Sequence, residues 1–339
     1  MRIKNCLAAL AVAAGWSLIT LATVFAFQPT RPIEAVVHTG PGGGSDIFAR
    51  AIADLLQKEG LVAQRLQVVN KSGGASAVAM SYLVEKKGDA HTIAFFTGVW
   101  TTNPLTRAEA KVTMKDLTPI ARLVLEPAMI AVKADSPYKN LKDFIEAAKK
   151  NPGQLRQSGG SVTGRDNLTR LVIQKATGAK WTFISFPSGR ERIANLLGGN
   201  VDMMVIEPQE AREHVRAGNL RVIATLAEKR LPSSPGVPTI REQGFDVPLV
   251  PQARGAVAPP AVPREVVGYW EEVFERFAKT RSWKKYLEEN EFEDGYLKGP
   301  ELHKFFDQLT DQMRSILKEA GVKVVRLRAC LKSEQVPSI

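Results

Sequence analysis

The chain has 339 residues, 44% of them hydrophobic, and carries a formal charge of +11. That length holds about two domains. The charge favours anionic partners in general, yet Lys and Arg are scattered over predicted helices. No aromatic-interleaved basic stripe and no zinc-finger, RRM or helix-turn-helix pattern is present, so nucleic acid is excluded as an expected partner.

Arg2 and Lys4 precede an uncharged apolar run from Cys6 to Phe27, the order of a signal peptide's n-region and h-region. Val24, Phe25 and Ala26 suit signal peptidase, and Gln28-Pro29-Thr30 stops any helix beyond. Residues 1–26 are therefore expected to be removed by cleavage after Ala26, which makes the mature protein a secreted one. The run is also long enough to cross a bilayer, so a retained anchor is the competing reading. Cys6 stands before the run, after Ile3-Lys4-Asn5, the wrong context for lipid attachment. Export leaves Cys330 alone, which rules out an intrachain disulfide and puts stability on packed cores.

Past residue 30, apolar runs of strand length alternate with segments of helical period, the grammar of parallel sheets covered by helices. A strand at 33–38 meets Gly40-Pro41-Gly42-Gly43-Gly44. A helix follows with Ile47, Phe48, Ile52, Leu55 and Leu56 on one face, ending at Gly60. Strands at 66–70, 92–96 and 120–125 and a small-residue helix at 75–86 complete the first part of one lobe, residues 27–126.

The pattern restarts at 129–133 with a strand, then a helix from Leu141 capped by Asn140. After Pro152-Gly153, a short strand ends at Gly159-Gly160, and the next helix, carrying Leu168, Leu171 and Val172, closes at Gly178. A strand at 182–186 leads to a helix opened by Ser188 with Glu191 three residues on, a capping box. Strands at 201–206 and 220–226 finish a second lobe, residues 127–252.

Residues 231–263 are proline-rich with one short strand at 255–258, a return crossing. Two helices, opened by Pro263 and Pro300, carry Trp270, Phe274, Phe277, Phe305 and Phe306 at core spacing and are expected to complete the first lobe through 253–339. Two crossings between lobes restrict their relative motion to a hinge bend.

Helix starts leave backbone N–H groups unpaired and carry partial positive charge, so a glycine loop feeding a helix attracts an anion. Gly42, Gly43, Gly44, Ser45 and Asp46 form such a loop, with glycines letting backbone approach a ligand and Ser45 free to cap or bond. Asp46 has three readings: orienting the loop, meeting a ligand ammonium, or complementing the helix dipole. The spacing matches neither a dinucleotide fingerprint nor a Walker loop. Ser161, Thr163, Gly164, Arg165 and Asn167 form the counterpart in the second lobe, with Ser188 and Arg190 at the next helix start. Arg165 and Arg190 either fork onto a second carboxylate or face solvent.

Several pieces, in order, identify a family: Pro41-Gly42-Gly43 with Asp46, Val69-Asn70-Lys71-Ser72-Gly73-Gly74, Asn103-Pro104, Asp116-Leu117-Thr118-Pro119-Ile120, Leu196-Leu197-Gly198-Gly199-Asn200-Val201-Asp202, Val237-Pro238-Thr239, and Ala258-Pro259. The chain resembles the tripartite tricarboxylate transporter receptors, the TctC or Bug family of periplasmic solute-binding proteins. The resemblance implies an α/β fold of periplasmic-binding-protein type II, with two lobes of parallel or mixed sheets flanked by helices and two hinge crossings. It also implies a di- or tricarboxylate, citrate-like, pinned between the two loops in Venus flytrap fashion and handed to integral membrane transporter subunits. The triple glycine and Lys86-Lys87-Gly88-Asp89 look closer to the tricarboxylate branch than to the amino-acid binders. Thr39-Gly40 stands where the family commonly has Phe-Pro, and Asn167 where it commonly has His.

No enzyme is expected. His38, His91, His214 and His303 are scattered, none beside a nucleophile motif, and His38 reads as a structural strand-end residue. No metal site and no cofactor is expected, since His and Cys lack metal-ligand spacing. A monomer is expected. A sensory module presenting its closed form to a membrane kinase is the alternative, with a periplasmic enzyme acting on an anion third.

Overall fold

A computed structural model describes residues 27–325. The signal segment at 1–26 and Cys330 lie outside the described residues.

The elements run β1 (Ile33–Val37), α1 (Gly44–Lys58), β2 (Leu66–Asn70), α2 (Ala77–Glu85), β3 (Thr92–Phe96), α3 (Val99–Thr106) and β4 (Thr118–Leu125). Next come β5 (Ala128–Lys133), α4 (Leu141–Lys150), β6 (Arg156–Gly159), α5 (Arg165–Thr177), β7 (Thr182–Ser185), α6 (Gly189–Leu197), β8 (Met203–Ile206), α7 (Pro208–Arg216) and β9 (Leu220–Leu226). The last are β10 (Ala253–Ala258), α8 (Arg264–Ala278), α9 (Arg281–Asn290), β11 (Glu293–Leu297) and α10 (Gly299–Glu319).

They build two sheets, ordered β11-β4-β10-β3-β1-β2 and β7-β6-β8-β5-β9. Each is mixed: β1 runs parallel to β2 and β3, but β10 inserts antiparallel between β3 and β4. In the other sheet β6 is parallel to β7 and β8, while β5 is antiparallel to β8 and β9. The antiparallel members are the strands joined by the crossings. β4 passes to β5 through Glu126 and Pro127, and β10 returns beside it, with Ala253 opposite Leu125. The Glu126 N–H donates to the Gln252 carbonyl at 2.8 Å, so the two crossings are bonded side by side.

Under the first sheet, Phe48 and Ile52 of α1 pack with Phe95, Trp270, Phe274 and Trp283. Under the second, Phe144, Leu168, Trp181 and Met203 form the core. Of the two C-terminal helices expected in the first lobe, α8 packs under the first sheet, while α10 packs on both. α10 places Leu302 and Phe306 with Phe96 and Trp100, then Leu309, Met313, Ile316 and Leu317 in the second sheet's core. At 1.5 Å per residue its 21 residues reach about 30 Å, enough to serve both.

Ile47, assigned to the buried face of α1, is 54% exposed because the first turn projects beyond the sheet into the space between the two halves. The Ser188 cap forms, accepting from the Glu191 N–H at 3.3 Å, but the box does not close reciprocally. The Ser188 hydroxyl instead donates to the Glu191 carboxylate at 3.2 Å.

Candidate functional site

Both glycine loops open onto one cavity of about 410 Å³, at the ends of β1, β3 and β6. Gly43, Gly44 and Ser45 line it from one side, and Ser161, Gly164, Arg165 and Ser188 from the other. Gly42 and Arg190 line an adjoining cavity of about 380 Å³ instead, with Ile47, Ile193, Leu197 and His214. The two cavities share Gly189 and Glu210. Asp46, Thr163 and Asn167 line neither.

The three that stand back hold the loops. Gly42 takes a φ of +77°, which glycine adopts without a Cβ penalty, and its N–H donates to Asp46 at 2.9 Å. Arg50 and the Asn70 amide also donate to the same carboxylate, at 2.9–3.0 Å. Burial raises the Asp46 pKa, but the bonds from Arg50, Gly42 and Asn70 outweigh it, and the net shift is downward. Asp46 is thus an ionised loop brace rather than a partner for a ligand ammonium.

Asp166 matches it across the cavity, accepting from the Gly160 N–H at 3.0 Å. Asn167 bonds the Val162 carbonyl at 2.7 Å and accepts from Arg170 at 2.8 Å. The Thr163 carbonyl accepts from the Thr102 hydroxyl of α3 at 2.7 Å, a direct tie between the two halves.

Arg165 departs from the solvent-facing reading. It is 7% exposed and donates to the Glu126 carbonyl at 2.8 Å, the Pro127 carbonyl at 3.3 Å and the Glu207 carboxylate at 2.6 Å. The start of α5 abuts the crossing, so its first side chain is buried against the hinge backbone. Arg190 is exposed at the outer rim.

The sequence reading missed the charged floor of the cavity. Arg254 bonds Glu126 through two nitrogens at 3.0 Å, with both side chains buried, and reaches the Ser45 hydroxyl at 3.4 Å. Arg192 lies 3.6 Å from Asp166 and 4.0 Å from Glu207. Burial raises the Glu207 carboxyl, but Arg165 and Arg192 overcome it and hold it low. Glu210 is pushed up to about 8 by burial, then by Glu207. A signal existed: Glu126 and Glu207 each directly follow an apolar strand run, where open α/β sheets gather ligand-binding groups.

His38 lines the cavity, but burial, then the Arg254 charge, lowers it to about 3. Its neutral Nδ1 accepts from the Trp100 indole at 3.1 Å, a packing role that leaves it a poor proton acceptor near neutral pH. Among the described residues no group of His, Cys, Asp or Glu is arranged to hold a metal ion.

Chemically, the floor offers no spare cation, because all three guanidiniums are answered by the protein's own carboxylates. The starts of α1, α5 and α6 line the cavity, with Ser45, Ser161 and Ser188 beside them, and helix starts carry the partial positive charge that suits an anion.

A family model described as tripartite tricarboxylate transporter family receptor, TctC, matches residues 48–322. The Cupriavidus necator protein called UPF0065 protein in gbd 5'region is 28% identical over 295 residues, covering 87% of this chain and 89% of its own. Among solved structures, R. palustris Rpa4515 with adipate superposes with a TM-score of 0.81 at 24% identity, covering 87% of this chain and 98% of that one. MatC from Rhodopseudomonas palustris with bound malate gives 0.75 at 21% identity, with 86% and 99% covered. These structural likenesses establish the two-lobed α/β fold of periplasmic solute-binding proteins.

Proposed function

The chain belongs to the tripartite tricarboxylate transporter receptor family of periplasmic solute-binding proteins, and from that membership we propose that it captures a small di- or tricarboxylate and delivers it to membrane transporter subunits. Residues 1–26 act as a signal peptide cleaved after Ala26, and the mature protein works as a periplasmic monomer. Residues 27–126 and 253–339 form one lobe and 127–252 the other.

The observation that carries this reading is the single cavity receiving helix starts from both halves. Each helix end contributes about 0.3–1 kcal/mol to a nearby anion, and a charge-assisted hydrogen bond about 1.5–3. A few of these reach about −8 kcal/mol, micromolar affinity. A ligand that touches both halves binds the closed form better than the open one, which is what drives closure. Adipate in Rpa4515 and malate in MatC support the dicarboxylate part of that ligand class.

Calorimetry of the mature chain against malate, adipate and citrate tests the proposal. At least one binds in the micromolar range and is recovered chemically unchanged. Absence of binding by all three, or turnover of a bound acid, overturns it.

A further inference from the structure

Every charged side chain on the cavity floor is answered by an opposite charge except Glu210. Arg165 meets Glu207, Arg192 meets Asp166, and Arg254 meets Glu126. The Glu210 carboxyl makes no hydrogen bond or ion pair among the described residues, and its Oε2 is shielded from solvent. A half-buried carboxyl with one oxygen shielded and no bonded partner is costly, so its position calls for a partner that arrives from outside.

The carboxyl stands between the starts of α1 and α6. A Cβ built on Gly189 would fall 2.8 Å from Oε2, and one on Gly44 would fall 3.7 Å from Oε1. Gly189 therefore makes room for it at the junction of the two cavities, while Gly44 stands in ordinary contact distance on the other side, nearer to Arg254. An ionised carboxylate there would repel the acid that the surrounding N–H groups attract. A protonated one donates a hydrogen bond to it.

The surroundings decide the form. Glu207 stands just before α7 and His214 one turn after Glu210 on it, Glu126 follows β4, and Asp166 and Arg165 face the cavity from α5. Arg192 and Arg190 come from α6 and Arg254 from β10, His38 follows β1, and α1 offers the Gly44 backbone, Ser45 and Ile47. Four carboxyls share three buried guanidiniums, and one of the four keeps its proton. Burial raises Asp166 as well, but Arg192 and the Gly160 N–H work against that shift, whereas Glu210 has no bonded partner and burial, then repulsion by Glu207, pushes it up to about 8.

We propose that Glu210 contacts the captured acid directly, donating a hydrogen bond to a ligand carboxylate seated at the starts of α1 and α6, so that the site takes up its anion together with a proton. This rests on the carboxylate-receptor reading and deepens it: the ligand group at this point is a carboxylate oxygen that accepts, and binding is linked to pH. The sign follows from linkage. The anion favours protonated Glu210, so full affinity is present below about pH 8 and is lost as pH rises beyond it.

The test is calorimetry of the mature protein with malate, adipate and citrate from about pH 6.5 to 9.5, in buffers of different ionisation heat. For whichever acid binds, wild-type affinity falls toward tenfold per pH unit above about 8, with proton uptake on binding. Glu210→Gln keeps a donor of the same shape. It binds within about threefold of wild type at pH 7 and loses the slope, whereas Glu210→Ala binds about tenfold more weakly. Wild-type affinity that is flat across the range overturns the proposal, and so does a slope that survives in Glu210→Gln, which would assign the proton to another group. Failure of all three acids to bind wild type at any pH removes the carboxylate reading itself, and this inference with it.

Discussion

Asp46 and Asp166 each hold the amide of a loop glycine from the first turn of the following helix, at 2.9 and 3.0 Å, so both corners of the cavity are braced alike. The need for such a brace is visible in the sequence as glycines followed by Asp, but its direction is not, because an Asp in that place can point to backbone or ligand. The glycines themselves differ in what they tolerate. A Cβ on Gly43 would meet the Thr39 Cβ at 2.8 Å, so an acidic residue there mixes local strain with charge. Gly160 lines the cavity with nothing within 4 Å of an added Cβ. Gly160→Asp should therefore leave stability within about 0.5 kcal/mol, as surface changes do. It should cut carboxylate affinity by at least about tenfold, since a like charge facing the ligand costs several kcal/mol. Chemical denaturation and calorimetry on the same variant check both, and unchanged affinity would remove Gly160 from the site. Arg165 shows where residue-level reading stops: an Arg is exposed by default, and only the hinge backbone packed against α5 buries it.

At the level of elements, strands and amphipathic helices were legible because burial imposes a period. Asn140 is the clearest local signal, and its side chain accepts from the Asp143 N–H at 2.9 Å. Replacing it with Ala should cost about 1 kcal/mol in urea unfolding. Ligand affinity should not change, because no residue of α4 lines the cavity. A loss of affinity would mean that α4 is coupled to the site. The elements α7, α3 and β11 escaped notice for different reasons. α7 buries only Pro208 and Ala211, so it has no apolar stripe to read, although Pro208 at its first position marked a start. α3 contains Pro104 and is buried along nearly its whole length, which erases periodicity. β11 is a short edge strand with Glu293 and Asp294 exposed. Since α7 carries Glu210 and follows Glu207, missing that helix meant missing the acidic floor of the cavity.

For the molecule as a whole, the joint between halves is built by residues far apart in the chain. Arg254 and Glu126 meet across the paired crossings, buried in full, and Arg165 reaches the same hinge from the second sheet. Removing one member of such a pair strands the other charge, so Arg254→Met should destabilise by about 3–5 kcal/mol. The double variant Arg254→Met with Glu126→Met should recover much of that loss, as apolar replacement of buried pairs often does. Denaturant unfolding of both variants measures this, and a single-variant cost under about 1 kcal/mol would deny the pair its place in the joint. By itself the sequence determined the alternation of strands and helices, the two glycine-fed helix starts and the family, because each depends on local period or short-range spacing. Only the tertiary structure decided that α10 serves both cores, that three arginines are neutralised from within, and that one acid is left unpaired between two helix starts. Charge balance in a buried cavity depends on which distant side chains come within a few ångströms of each other, and spacing along the chain carries no record of that.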